Sequence, residues 1–344
     1  MSDTTRLALG LSSLAIGVAL TRRAWSRPAC YSFNGRTVII TGGSRGLGLE
    51  FARQLAAEGA RLWLVARTAP ALDEAAAELR ASGATVDTIT ADLRNADQRS
   101  HIVDRVVAAG HGVDVLINNA GVIEVGPFEH ARREDYEDSL ATHFWAPLEL
   151  IRLCLPHLRR DGHGRIINIS SIGGRVGMPH LAAYAAGKFA LTGLSETLRA
   201  ELGKSGVSVT TATPGLMRTG SYVNVRVRGQ HQRELRWFTA MSATPLTSMQ
   251  TRRAASQILE AARRRVAAVS PGWQARAAQI AAAVAPNAFA AITAAADRVA
   301  LPPPTADPAG DGARLAADVD PGHVKALLSD ETRRKFHQPQ PVWR

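Results

Sequence analysis

The stretch TGGSRGLG, Thr41 to Gly48, lies between an apolar run at Thr37–Ile40 and a helical pattern at Leu47–Glu58. Glycine adopts backbone conformations that are closed to other residues, and it lets the main chain approach a ligand closely. The helix that follows offers unpaired N–H groups and the positive end of its dipole to an anion. Because this glycine turn joins a predicted first strand to a predicted first helix, it predicts a site for a phosphate or pyrophosphate group.

Outward from this turn, short β-rich runs alternate with helical patterns from Phe33 to Ser270. Several of the strand candidates are apolar over most of their length, which is typical of strands covered on both faces. The repetition predicts an α/β fold with a doubly wound, Rossmann-like parallel sheet in a three-layer αβα sandwich. The predicted strands are Thr37–Ile40, Leu62–Ala66, Val86–Thr90, Val113–Ile117, Arg165–Ser170, Ser208–Thr213 and Val266–Val269. The predicted helices are Leu47–Glu58, Ala71–Ala81, Asp97–Ala109, Tyr136–Arg160 and Leu181–Gly203.

Composition divides the chain into four regions. Residues 1–32 form an apolar N-terminal segment, 33–272 the α/β domain, 273–301 an Ala-rich helical extension, and 302–344 a tail rich in Pro, Asp and Gly. We expect the tail to be disordered because it has little apolar surface to bury.

Residues 7–20, LALGLSSLAIGVAL, carry no charge and precede Arg22, Arg23 and Arg27. This run of 14 residues is shorter than the ~20 that a helix needs to cross a bilayer. It predicts a short or tilted membrane anchor, a signal-like segment or an interfacial helix, and the alternative is a helix packed on the protein itself. The arginines favour a cytoplasmic location for the downstream domain.

The formal net charge is +11, but the basic residues are scattered and form no organised stripe, so we predict no nucleic-acid partner. The cysteines are Cys30 and Cys154, which predicts no disulfide framework and a reducing, cytoplasmic environment. Cys154 is interpreted as a small core side chain. No metal site is predicted.

Further landmarks follow the glycine turn in order. They are Asp92, the run Asn118-Asn119-Ala120-Gly121, Ser171, the pair Tyr184 and Lys188, and Pro214-Gly215. Together with the T-G-x-x-x-G-x-G spacing, this set resembles the short-chain dehydrogenase/reductase family over residues 34 to 270. The resemblance implies a nicotinamide-dependent oxidoreductase that acts on a carbonyl or alcohol.

The second predicted strand ends Val65-Ala66-Arg67, without the carboxylate that commonly binds the ribose 2′-hydroxyl of NAD. Arg45 and Arg67 are suited instead to a 2′-phosphate, so NADP is predicted and NAD is the less favoured alternative. The resemblance implies that Asp92 and Leu93 contact the adenine, that Asn119 lies beside the ribose, and that Thr219 binds the carboxamide. The full set of predicted cofactor-binding residues is Gly42, Ser44, Arg45, Gly46, Leu47, Gly48, Arg67, Asp92, Leu93, Asn119, Ala120, Gly121, Tyr184, Lys188, Pro214, Gly215 and Thr219. For Asp92 a helix-capping role is the alternative, and the Asn-Asn-Ala-Gly run is alternatively a structural turn.

Tyr184 and Lys188 stand four residues apart, so on a helix their side chains share a face. A free phenol titrates near pH ~10, and a nearby ammonium lowers that pKa. Tyr184 is therefore the predicted general acid/base. Ser171 lies 13 residues before it, at the end of a strand, and is predicted to hold the substrate oxygen.

The resemblance also implies a catalytic asparagine in the helix before the fifth strand, but this chain has His143 there. A neutral imidazole both donates and accepts hydrogen bonds, so His143 either keeps a proton relay or is a packed side chain without a catalytic role.

The region after Gly215 contains Tyr222, Trp237, Phe238 and Met241 among several arginines. It predicts either an apolar pocket for a lipophilic carbonyl or alcohol, or a solvated helix face with a hydrophobic underside. By resemblance, a homo-oligomer assembled through two long helices is expected. The alternative to an enzyme is a nucleotide-binding regulatory protein or a membrane-tethered interaction protein on the same fold.

Overall fold

The computed structural model describes residues 31–244, 247–306, 312–320 and 330–341. The chain divides between Ser32 and Phe33, and the fold described below belongs to the unit that begins at Phe33. The predicted membrane segment at residues 7–20 and Cys30 lie outside the described residues. Within those residues no helix combines the length and the apolar character needed to cross a membrane.

Within the described chain, seven strands form one parallel sheet in the order β11-β7-β6-β4-β1-β2-β3. Their bounds are β1 Thr37–Thr41, β2 Arg61–Ala66, β3 Thr85–Thr90, β4 Val115–Asn118, β6 Arg165–Ile169, β7 Ser208–Ala212 and β11 Ala268–Val269. The order reverses between β1 and β4. This is the point at which ligands bind in open α/β sheets.

Helices cover both faces of this sheet, so the predicted doubly wound three-layer fold is confirmed. They are α1 Gly46–Ala57, α2 Ala69–Ala81, α3 Ala96–Ala108, α4 Arg133–Leu140, α5 Ala146–Arg159, α6 Ala182–Leu202, α7 His231–Ala243, α8 Thr251–Arg263, α9 Trp273–Val284, α10 Pro286–Ala300 and α11 Asp330–Lys335. One core cluster packs Ile39, Leu116 and Ile166 of the sheet against α3 and α5. Cys154 lies in this cluster, and burial raises the pKa of its thiol to about 12.

One predicted helix differs from the structure. The single helix expected at Tyr136–Arg160 is α4 and α5 joined by a turn of π-helix at Ala141–Trp145. Such turns are common at functional sites, and periodicity does not reveal them because both flanking helices continue the same apolar pattern.

Short strands form two further sheets. Glu124–Val125 (β5), Arg226–Val227 (β9) and Arg314–Leu315 (β12) form one, and Leu216–Met217 (β8) with Ser248–Met249 (β10) form the other. Within residues 302–344, where disorder is expected, the structure describes 302–306, 312–320 and 330–341. Ala316, Val319 and Phe336 of these segments are buried. Disorder of the tail stays a prediction.

Candidate active site

The glycine turn has the geometry that its sequence predicts. Gly42 and Gly46 have φ of +66° and +59°, a region that L-residues rarely adopt. A side chain at Gly48 would collide with the carbonyl oxygen of Gly42. No side chain caps the first turn of α1, which begins at Gly46. The turn therefore presents main-chain N–H groups at a helix N-terminus.

The Asn-Asn-Ala-Gly run is bonded directly to this turn. The Asn119 side-chain amide donates to the carbonyl oxygens of Thr41 at 2.9 Å and Gly42 at 3.2 Å. The Thr41 hydroxyl accepts from the backbone N–H groups of Asn119 and Ala120 at 2.9 and 3.1 Å. The Asn-Asn-Ala-Gly run therefore holds the end of β4 to the end of β1, which is a structural role.

Two guanidinium groups lie beside the turn. The pKa of Arg45 is lowered, first by burial and then by the positive charge of Arg67. Arg45 donates to Asn224 Oδ1 at 3.0 Å, and Arg67 at the end of β2 is exposed. Each positive charge disfavours the charged form of the other, so an anion bound between the two guanidinium groups would relieve their repulsion.

Asp92 lies near the same cluster and does not cap a helix. Asn95 is the N-cap of α3 and accepts from the Gln98 N–H at 3.2 Å. Asp92 pairs with Arg94 at 2.7 Å, and this hydrogen bonding lowers the pKa of its carboxyl group. Leu93, the neighbouring predicted adenine contact, is buried.

Ser171, Tyr184 and Lys188 meet at the carboxyl end of β6. Ser171 follows that strand and accepts from the Gly173 N–H at 3.1 Å, and the Ser171 hydroxyl and the Tyr184 ring both border Gly173. Lys188 lies one turn further along α6, with its Nζ 5.8 Å from the centre of the Tyr184 ring. The same Nζ donates to the Ile169 carbonyl oxygen at 2.8 Å and is buried.

Burial raises the pKa of Tyr184 to about 12, and the neighbouring Ser171 side chain only partly opposes this. Burial lowers the pKa of Lys188 to about 7. Because desolvation disfavours the charged form of both groups, Tyr184 is a neutral phenol at neutral pH and therefore a proton donor.

His143 is fully buried in the π-helical turn, with its ring edge against Tyr184. Its Nε2 accepts from the Val122 N–H at 3.2 Å, and its Nδ1 lies 3.1 Å from the Ser139 hydroxyl. Burial, assisted by the charge of Lys188, lowers the pKa of the imidazole well below its usual value. The ring is therefore neutral, its Nε2 accepts from Val122 and its Nδ1 carries the proton towards Ser139.

The remaining predicted residues line the same edge of the sheet. Thr219 is buried, donates to the Ser221 hydroxyl at 2.7 Å and lies next to Gly46. The Pro214 carbonyl accepts from the Ile172 N–H at 2.9 Å, which connects the end of β7 to the segment after Ser171. Ser44 and Leu47 are buried in the glycine turn, and Gly215 faces Ala275.

The substrate region differs from the predicted aromatic pocket. Tyr222 and Phe238 are buried in a separate core with Val125, Leu235 and others, so they do not line a cleft. This arrangement matches the alternative of a helix with a hydrophobic underside. The cleft beside Tyr184 is lined by Val122, Ile123, Glu124, Asp135, Asp138, Ser139 and Arg226.

A buried ion cluster beside this cleft was not predicted. Arg228 bonds to Glu124 at 2.5 Å and to Asp135 at 2.6 Å, and all three side chains are buried or nearly so. Burial and the neighbouring Asp135 raise the pKa of Glu124 to about 7. The three residues are far apart in the sequence, and no local pattern indicates that they meet.

The segment 330–341 also reaches the glycine turn, which the sequence did not indicate. The Phe336 carbonyl oxygen accepts from the Gly46 N–H at 3.1 Å. Arg53 of α1 donates to the Lys335 carbonyl at 2.8 Å, and Asn224, the partner of Arg45, donates to Gln338 at 2.7 Å. The C-terminal segment therefore uses an N–H of the predicted phosphate site.

Comparison with known proteins identifies the class. Residues 36–228 match the short chain dehydrogenase family. The ketoacyl reductase HetN of Nostoc sp. is 36% identical over 57% of this chain and 69% of its own length. Dehydrogenase/reductase SDR family member 7B of Bos taurus is 34% identical over 65% of this chain and 70% of its own length.

A solved structure agrees with these relatives. The L-sorbose reductase of Gluconobacter frateurii, in complex with NADPH and L-sorbose, superposes with a TM-score of 0.63 at 26% identity, over 71% of this chain and 98% of the reductase. The chain therefore belongs to the short-chain dehydrogenase/reductase family. It is an oxidoreductase that acts on carbonyl or alcohol groups.

Proposed function

We propose that this chain is an NADP(H)-dependent carbonyl reductase or alcohol dehydrogenase in which Tyr184 is the general acid/base. The observation that carries the proposal is the grouping of Ser171, Tyr184 and Lys188. The Ser171 hydroxyl and the Tyr184 ring both border Gly173, and Lys188 lies one helical turn away from Tyr184. This group lies at the same edge of the sheet as the glycine turn, where the strand order reverses. The nicotinamide, when bound, supplies or accepts the hydride.

The residues present fit such a dinucleotide. The glycine turn leaves main-chain N–H groups at the start of α1 and no room for a side chain at Gly48. Those N–H groups would hold the pyrophosphate. Arg45 and Arg67 would bind the 2′-phosphate, because each guanidinium lacks a carboxylate partner among the described contacts and their charges oppose each other.

The protein's part in the reaction is a proton transfer. Ser171 and Tyr184 would both bond the substrate oxygen, and Tyr184 Oη would donate its proton as that oxygen gains electron density. In the oxidative direction the same oxygen atom of Tyr184 takes the proton back. Lys188, which is close enough to stabilise a phenolate, would favour that deprotonated form while it carries its own proton.

His143 is proposed to position the turn at Val122 rather than to relay protons. Both ring nitrogens are engaged, one with the Val122 N–H and one with Ser139. A relay through this ring would have to break one of these buried bonds at each turnover.

The substrate is proposed to be a small carbonyl or alcohol. A lipophilic substrate was expected from Tyr222, Trp237, Phe238 and Met241. The burial of Tyr222 and Phe238 in a separate core weakens that support, whereas Met241 remains exposed. The cleft beside Tyr184 has both apolar and charged walls, with Ile123 on one side and Asp138 and Arg226 on another.

The assembly and location are proposed as well. Trp145 and Phe189, both exposed, lie at the start of α5 and within α6, and they support a homo-oligomer built on these helices. The uncharged run at residues 7–20 supports membrane association with the domain on the cytoplasmic face.

The proposal is tested by incubating the full chain with NADPH or NADH and a panel of aldehydes and ketones while the absorbance of the reduced cofactor is followed. We expect turnover of at least one carbonyl, with NADPH preferred. The Arg45→Ala and Arg67→Ala variants are each expected to weaken NADPH binding by about 10- to 100-fold, because each lost charge-assisted bond costs ~1.5–3 kcal/mol. NADH binding should change little. Equal losses for both cofactors would contradict the assignment of these arginines.

A further inference from the structure

Helices α9 and α10 form an exposed hairpin, here called the apolar hairpin and defined as Trp273–Ala300. The helices are joined through Ala285 and contact each other. Ala275 is buried in α9, whereas no residue of α10 is buried. Five large apolar side chains of the hairpin are between 63% and 88% exposed: Trp273, Ile280, Val284, Ile292 and Val299. Contiguous exposed apolar surface of this kind marks an interaction site.

Charged groups are confined to one end of the hairpin, its base. Arg276 donates to the Ser270 carbonyl at 2.9 Å, and Gln279 donates to the Thr213 hydroxyl at 3.2 Å. In the returning helix, Asp297 lies 3.4 Å from His180. These contacts fix the base to the domain at the carboxyl end of β7, on the side that carries Ser171 and Tyr184.

The other end, residues 280–296, contains no charged residue. One of its few polar side chains, Thr293, donates its hydroxyl to the Ala290 carbonyl at 3.0 Å. Most backbone groups of both helices are bonded within the helices, which a hydrocarbon environment favours. At the turn, the Ala285 N–H donates to the Ala281 carbonyl and the Phe289 N–H donates to the Ala285 carbonyl, each at 2.9 Å. The tip can therefore leave water without leaving a charge or most of its backbone unpaired.

We propose that the apolar hairpin inserts its tip into one leaflet of a lipid bilayer. A helix rises 1.5 Å per residue, so α10 is ~22 Å long, whereas one half of a ~30 Å hydrocarbon core is ~15 Å thick. The tip reaches the middle of the bilayer while Trp273, Arg276 and Arg298 remain at the headgroup level, where tryptophan and arginine are favoured. The base arginines and the net charge of +11 match an anionic lipid surface.

A second copy of the chain is the competing occupant, and the distribution of exposure disfavours it. A protein partner buries one stripe of a helix and leaves the opposite stripe polar. In α10 the exposed residues include Ala, Ile and Val around the helix, with no polar stripe between Ala288 and Ala296. Apolar residues all around α10 therefore fit lipid, which surrounds an inserted helix, better than a second copy of the chain, which would cover only one side.

The test places an environment-sensitive nitrobenzoxadiazole label at the tip of the full chain. Cys30→Ser removes one thiol, and Cys154 is buried with a raised pKa, so an introduced Val284→Cys is labelled selectively. Val107→Cys, an exposed position on α3, is the matched control. The probes are vesicles of phosphatidylcholine with phosphatidylglycerol, with and without lipids that carry a spin label deep in the acyl chain.

With vesicles we expect a blue shift and at least twofold quenching by the deep spin label at position 284, and neither at position 107. Adding Ile292→Asp to the labelled Val284→Cys chain should abolish the quenching, and folding should survive because Ile292 is exposed. No quenching at position 284 would overturn the proposal, even if residues 7–20 carry the protein to the vesicles. A blue shift without vesicles that grows with protein concentration would overturn it in favour of a second copy. Because no turnover is measured, these outcomes are independent of the proposed reaction.

Discussion

Burial acts in opposite directions on the two titratable groups of the site. It raises the pKa of Tyr184 to about 12 and lowers that of Lys188 to about 7, because in each case the uncharged form is favoured. Near neutral pH the phenol therefore holds its proton, and the lysine is close to its midpoint. Of these two groups, Lys188 is therefore the one whose protonation changes near neutral pH.

Lys188 should make stability depend on pH. Its pKa is about 7 in the folded protein and ~10.4 in an unfolded chain, so between these values the unfolded state binds a proton that the folded state lacks. The stability contributed by this group therefore rises with pH across that window. Lys188→Met keeps the buried stem, and we expect its urea midpoint to exceed that of the wild type at about pH 6, with the advantage shrinking by about pH 9. A difference that stays constant with pH would contradict the lowered pKa.

His143→Leu should destabilise the fold. The Val122 N–H would lose its acceptor in a partly buried place, at a cost of ~1–3 kcal/mol. His143→Asn is the matched control, because its amide oxygen offers an acceptor, and we expect it to recover part of the loss. Thermal unfolding measures both variants. Equal melting temperatures for His143→Leu and the wild type would show that the Val122 bond contributes nothing.

At the scale of single residues, the spacing of Ser171, Tyr184 and Lys188 predicted that these side chains lie close together, and the structure places them at the carboxyl end of β6. Their catalytic roles, and the cofactor contacts of the glycines, stay predictions. The hydrogen bonds of His143 to Val122 and Ser139 could not be predicted, because they depend on how the helices pack around the ring. The depth of burial that raises the pKa of Tyr184 could not be predicted either, because a sequence shows the neighbouring cation but not the burial.

The segment 330–341 places the Phe336 carbonyl oxygen on the Gly46 N–H at the start of α1. A carbonyl and a pyrophosphate oxygen compete for that N–H. We expect a chain that ends at residue 329 to bind NADPH about 3- to 10-fold more tightly, since one such hydrogen bond is worth ~0.5–1.5 kcal/mol. Fluorescence titration checks this, with circular dichroism as the control for folding. Weaker binding by the shortened chain would mean that the segment supports the dinucleotide site.

Arg228 connects the strand β9 to Glu124 on β5 and to Asp135 on α4. Its removal in Arg228→Met leaves two buried carboxylates facing each other, and we expect a loss of ~3–5 kcal/mol at pH above 7. The pKa of Glu124, about 7 in the folded protein, is raised, so protonation of this group stabilises the folded state as pH falls from 7 towards 5. The loss should therefore be smaller at about pH 5.

Denaturant unfolding of Arg228→Met at both pH values checks this expectation. Arg226→Met is the matched control, because Arg226 pairs with Asp138 at a partly exposed position. If both variants lose the same free energy of unfolding, the buried cluster stabilises the fold no more than the partly exposed ion pair of Arg226 does.

At the scale of the whole molecule, the order of the elements was predictable because each strand and helix carries its own periodic pattern. The seven strands begin and end within two residues of their predicted bounds. The short strands at 124–125, 226–227 and 314–315 were not predictable, since each is too short to show a period and the two outer strands pair only with the central one at 226–227. The burial of Ala316, Val319 and Phe336 in the tail was not predictable for a similar reason, because it depends on surfaces formed elsewhere in the chain.

The claim on which the whole account depends is that Tyr184 transfers the proton. The decisive measurement is the rate of NADPH consumption by Tyr184→Phe, with the best carbonyl substrate of the wild type, at saturating cofactor. Phenylalanine keeps the ring and removes only the hydroxyl, so we expect kcat to fall by about 10²- to 10⁴-fold while the NADPH dissociation constant stays within about twofold of the wild type. Turnover by Tyr184→Phe at the rate of the wild type would contradict the assignment.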